Sequence, residues 1–146
     1  MRKLRLLTFL FVLSCITYPV WGQQDRLPDT PAAALLREAY ETLKQGQIDQ
    51  AMQLMDSAIV VGKANNDYVS LGCTYDAKGE TLAMMFQPGV QYNFEQALHY
   101  FTMANDSANI FAHLRSLGEL QHKKGNVDSA FWYFELAGDY DETAST

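Results

Sequence analysis

Cysteine is almost missing from this chain: there are two, Cys15 and Cys73. So few exclude the disulfide frameworks that hold small secreted scaffolds together. Proline and glycine are sparse, at four and nine of 146 residues, and long polar runs are absent. With 48% hydrophobic residues the chain can bury a core, so a low-complexity tail is excluded. Positive charge is also short, with 11 Lys and Arg against 17 Asp and Glu, for a net −6. An acidic chain is repelled by nucleic-acid phosphates and by anionic lipid headgroups, so neither is an expected partner. There is no GxGxxG or Walker loop to cradle a phosphate. No His-Glu-x-x-His or Cys-x-x-Cys supplies metal-ligand spacing, and His99, His113 and His122 fall on different helical columns. Cys73 has no motif that brings it a base, so it reads as a buried, inert thiol. The expectation is a non-enzymatic protein with no catalytic residue, no cofactor and no metal.

What is present begins at the N-terminus. Met1 to Arg5 is basic, and Leu6 to Val20 is apolar without charge. The run is short of the roughly 20 residues a spanning helix needs. With Val20 and Gly22 before Gln23, it reads as a secretory signal over residues 1–22. An uncleaved anchor is one alternative. Another is a lipid tether at Cys15, because Val12-Leu13-Ser14-Cys15 loosely fits a lipobox. Loss of residues 1–22 removes three basic residues and no acid, taking the net charge from −6 to −9. The expected location is the periplasm or the exterior of a bacterium, with no direct membrane insertion after cleavage.

Residues 23–30 are expected to be extended, 31–142 to form one helical repeat domain, and 143–146 to be a disordered tail. Three segments of that domain align by eye: Gly46 to Ala58, Tyr92 to Ala104 and Gly125 to Ala137. Each carries Ala-x-x-x-(Met/Phe)-x-x-Ala: Ala51, Met55 and Ala58; Ala97, Phe101 and Ala104; Ala130, Phe134 and Ala137. The spacing i, i+4, i+7 is one face of a helix, where alanines let a second helix approach and the large residue fills the gap. Asp49, Glu95 and Asp128 are expected in first turns, facing the positive helix end. Helical segments precede each: Ala32 to Lys44 behind Asp29-Thr30-Pro31, Asp67 to Phe86, and one containing Leu117-Gly118. Each unit is therefore helix, turn, helix.

A short-turn helix pair of this kind resembles the tetratricopeptide repeat, or TPR. The third unit, Phe111 to about Glu142, matches best, through Leu114, Leu117, Gly118, Gly125, Ala130, Phe134 and Ala137. Unit one, Ala32 to about Ala64, keeps Leu35, Ala39, Ala51, Met55 and Ala58 but has Glu38-Ala39 in place of Leu-Gly. In the middle unit Gly79 is aligned with the family glycine. The Ala97 to Ala130 spacing is 33 residues, the family period, whereas Ala51 to Ala97 is 46. The surplus is assigned to a longer helix ending near Ala64 and to the Gln87-Pro88-Gly89 loop. The Ala-Asn-Asp junctions and the longer period are similar to TPR regions of exported bacterial sensors and regulators.

The resemblance implies an all-α fold, with about three antiparallel hairpins stacked as a short right-handed solenoid. It also implies a protein-binding scaffold in the bacterial envelope. The alternative is the input domain, or a remnant, of a TPR-containing signalling or transcription regulator. First helices of such a stack line an inner groove. The matching columns are Tyr40, Leu43 and Lys44, then Asp76, Glu80 and Met84, then Arg115, Glu119, His122 and Lys123. The groove's expected partner is a protein or peptide. The last helix carries Phe131-Trp132-Tyr133-Phe134, which span the whole circumference and cannot all face inward. Phe134 is expected to pack with Ala130 and Ala137. Phe131, Trp132 and Tyr133 are the candidate end interface, open to a partner or a second copy.

Overall fold

The computed structural model describes residues 26–144. Six helices carry it: α1 Pro31–Lys44, α2 Ile48–Asn65, α3 Tyr68–Met84, α4 Val90–Met103, α5 Ser107–Lys123 and α6 Val127–Ala144. There is no strand among the described residues. Consecutive helices pack as three hairpins, α1 with α2, α3 with α4 and α5 with α6. The hairpins stack through α2 on α3 and α4 on α5, giving the all-helical layered array expected of a repeat solenoid. No described helix is long and apolar enough to cross a membrane. Residues 1–25, and with them the signal and lipobox readings, lie outside the described residues. The boundary expected at 142 falls inside α6, which continues to Ala144.

Local chemistry sets the helix ends. Thr30 caps α1, accepting from the Ala33 N–H at 3.2 Å, with Pro31 at the first helical position. Asp67 caps α3 and Asp106 caps α5, each accepting from the N–H three residues on. The helices stop on left-handed residues: Gly46, Asn66, Phe86, Asn105 and Gly125, with φ between 52° and 81°. Each makes the paired closing bonds of a Schellman turn, such as Asn105 N to Thr102 O at 3.1 Å and Asp106 N to Phe101 O at 3.0 Å. Asp49 and Asp128 lie in first turns, but Glu95 does not, because α4 begins a turn earlier, at Val90.

Five of the six repeated alanines, Ala51, Ala58, Ala97, Ala130 and Ala137, lie in the core, and Ala104 is half-buried. Close approach is sharpest at helical glycines. A Cβ added to Gly118 would sit 2.6 Å from Phe134, one on Gly79 would sit 2.7 Å from Phe94, and one on Gly72 would sit 2.7 Å from Phe101. Phe134 therefore packs across the hairpin onto Gly118.

These contacts correct the repeat phase. Ala39, Gly79 and Gly118 each stand five residues before the end of their helix. First helices end at Lys44, Met84 and Lys123, so the structural period is 40 and then 39 residues. By the glycine contacts the counterpart of Phe134 is Phe94, and Ala97 then matches Ala137 rather than Ala130. The alignment slipped because α4 repeats itself every seven residues: Phe94 and Phe101 both meet a glycine, Gly79 and Gly72. The surplus is this slip together with the two sources expected: α2 ends at Asn65 and has 18 residues against 14 in α4, and the loop Met85 to Gly89 is longer than Lys124 to Asn126.

Candidate protein-binding surfaces

First helices α1, α3 and α5 meet through polar side chains. At one end, the cap of α1 is tied to the cap of α3: the Thr30 hydroxyl donates to Asp67 Oδ2 at 2.5 Å and lies 3.3 Å from the Ser70 hydroxyl. The segment leading in is also held, with Leu27 buried and Arg37 Nη2 donating to the Leu27 and Pro28 carbonyls at 3.0 Å.

Further along lies a titratable cluster. His113 of α5 reaches Asp76 of α3, Nε2 to Oδ1 at 2.8 Å, with both side chains buried. Its Nδ1 is 2.8 Å from the Asn109 carbonyl oxygen. A carbonyl and a carboxylate are both acceptors, so both ring nitrogens must donate, which is the imidazolium form. Burial pushes the His113 pKa down. The Asp76 hydrogen bond and charge, the Asn109 carbonyl and Glu80 outweigh it and leave the pKa above the usual value. Half-buried Glu80 is pushed up to about 8 by desolvation and by the charge of Asp76, against a smaller lowering by His113. Cys73 is pushed up to about 12 by burial, then by the charges of Asp76, Asp106 and Asp67. It is therefore a thiol at neutral pH. Burial, with Cys73, Asp76 and Glu80 nearby, also raises the Tyr40 hydroxyl far above its ordinary range.

The expected groove residues thus divide. Tyr40 is 3% exposed and Asp76 is buried, so both belong to the seams between first helices rather than to an open surface. Leu43 packs against the core. Lys44, Arg115, Glu119, His122 and Lys123 are exposed, and Met84 is half-buried. Lys44 pairs with Glu41 at 2.5 Å, and Arg115 lies 3.8 Å from Glu119. The exposed set is mixed in charge and offers no basic clamp.

On α6, Phe131 is 68% exposed, Trp132 56% and Phe134 40%, and Tyr133 is half-buried. Trp132 and Tyr133 meet edge to face, ring centres 4.9 Å apart. Val127 is also exposed. Phe131 and Phe134 share one side of α6 with Val127, and Trp132 lies on another; no other described helix exposes as many aromatic rings.

The chain matches no family model, no curated protein and no solved structure.

Sequence reasoning missed two features. The Asp76–His113 pair joins columns that do not repeat: Thr74, the α3 counterpart of His113, bonds back to the Ser70 carbonyl instead. The other is a recess of about 230 Å³ at the end of the second hairpin, lined by Lys63, Asn66, Tyr68, Leu71, His99, Tyr100 and Met103. Its tyrosines, Tyr68 and Tyr100, come from both helices of that hairpin and are brought together only by the fold. Among the described residues no three His, Cys, Asp or Glu side chains converge as a metal site.

Proposed function

We propose that this chain is a TPR-type protein-binding scaffold that works in the bacterial envelope after export. The observation that carries the reading is α6, where Phe131 and Phe134 on one side and Trp132 on another are held in solvent on one helix. Large exposed aromatic patches mark protein interfaces, and Trp and Tyr dominate binding hot spots. The mixed-charge first-helix surface supplies complementary polar contacts, and the net negative charge of the whole chain disfavours phosphate-rich partners. The test compares the protein with Trp132→Ala and Phe131→Ala variants for capture of a partner from envelope extract. Loss of capture at least tenfold, with unchanged helical content and thermal midpoint, supports the reading. Unchanged capture by both variants removes the α6 face from it.

A further inference from the structure

The five left-handed helix stops are not equivalent. Four are occupied by Gly or Asn, the residues that adopt this backbone without penalty, and the fifth is Phe86, at φ 54°. A bulky residue there costs about 1–2 kcal/mol. Burial does not offset that cost, because Phe86 is 95% exposed. Strained positions of this kind recur at functional sites.

Phe86 sits on the longest connection between helices, Met85 to Gly89, at one end of the α3/α4 hairpin. Met85 and Tyr92 beside it are exposed. From Thr81 to Phe94 the chain has 14 residues without a single charge. The residues of this tip carry no ion of their own to desolvate, and the charge beside them is the Lys124 ammonium, which donates to Gln91 Oε1 at 2.6 Å.

The opposite end of the same hairpin holds the recess. Leu71 lies at its base, Tyr68 and Tyr100 stand among its walls, and Lys63, His99 and Met103 are exposed around it. Tyr100 is held by stacking on Tyr75 at 5.6 Å and Tyr68 at 6.4 Å, so the wall is preformed. The recess is open to solvent and, at about 230 Å³, has room for one phenyl ring. The lysine favours a ring through cation–π attraction and the methionine through sulfur–aromatic contact.

The tip and the recess are separated by the length of α3, 17 residues or about 25 Å, so they cannot meet within one chain. We propose that the protein self-associates head to tail, Phe86 of one copy seating in the Tyr68, Leu71, Tyr100 and Met103 recess of the next. A contact between two different surfaces of identical chains repeats from copy to copy, so it builds an open series or, where the rotation closes, a ring. A second copy is preferred to a bilayer because the recess provides a seat of the right size and chemistry, while the acidic chain is repelled from anionic lipid. This contact is separate from the α6 face and does not depend on the partner-binding reading.

Light scattering with chromatography on the protein tests it. The wild type should give a mass that rises with concentration past that of two chains. Phe86→Gly should be monomeric yet melt at a higher temperature, since it removes strain and little packing. Met103→Glu, which places a charge at the seat, should also be monomeric. An equimolar mixture of the two variants keeps one working tip and one working recess, and should form a one-to-one dimer and nothing larger. Trp132→Ala should assemble like the wild type. A wild type that stays monomeric at every concentration overturns the proposal. So does assembly retained by Phe86→Gly or Met103→Glu, a mixture that stays monomeric, or assembly lost in Trp132→Ala. Phe86-dependent sedimentation with phosphatidylcholine vesicles, without self-association, would replace the second copy with a bilayer.

Discussion

His113 and Glu80 hold protons in the folded protein that the unfolded chain releases. The usual values are 6.5 and 4.5, and both groups are raised on folding, Glu80 to about 8. The stabilising charge on His113 is fully present below about 6.5 and is lost as pH rises through its folded value. For Glu80, the folded state favours the neutral acid, so ionisation as pH climbs from about 5 through 8 weighs against folding. The two effects share a sign, and the thermal midpoint should fall between pH 5.5 and 8.5. Glu80→Gln, measured by circular dichroism at both pH values, should show a clearly smaller fall. An identical fall would mean that Glu80 does not link pH to folding. His113→Ala would leave Asp76 buried without its cation, and loss of one partner from a buried pair costs about 3–5 kcal/mol. None of this was legible in the sequence, because Asp76 and His113 are 37 residues apart on columns with no repeat relation.

At the level of helices, the glycine–phenylalanine contacts set how closely the hairpins close. Phe101 is completely buried and cannot yield, whereas Phe134 is 40% exposed and can swing outward. Overpacking a core costs about 1–3 kcal/mol, while Gly to Ala within a helix gains about 1 kcal/mol. Gly72→Ala should therefore destabilise by about 2 kcal/mol in urea titrations, and Gly118→Ala should be close to neutral. Equal costs would show that Phe134 is as fixed as Phe101. The helices themselves were readable: Thr30-Pro31 marks a start, Asn and Gly mark stops, and the alanines mark the packed face. The phase of α4 was not. Phe94, Ala97 and Phe101 fit the Ala-and-Phe pattern at two registers seven residues apart, and only contact with Gly79 and Gly72 separates them.

Across the whole molecule, each hairpin has its largest interface within itself and a smaller one with its neighbour. Each end hairpin is covered on one side, and the middle one is covered on both. Cys73, on α3 of that middle hairpin, is buried and kept as a thiol. Its modification by a thiol-specific reagent should wait for global opening and follow loss of helical signal in urea. Fast labelling in native buffer would instead show that the middle hairpin opens alone. The order of stacking was implied by the helix–turn–helix pattern. The seams between first helices were not, since they depend on which polar side chains of separate units come to face each other.

The two joints between hairpins are copies of one another. Asn66-Asp67 and Asn105-Asp106 each place Asn in the left-handed region and Asp as the next cap, closed by the same backbone bonds. The stretch from Asp67 to Asn105 is therefore a cassette whose two ends fit each other. Tandem duplication of the corresponding coding segment would lengthen the array by one hairpin and recreate a native joint at the splice, so a lineage could vary the reach of this protein without inventing a new connection.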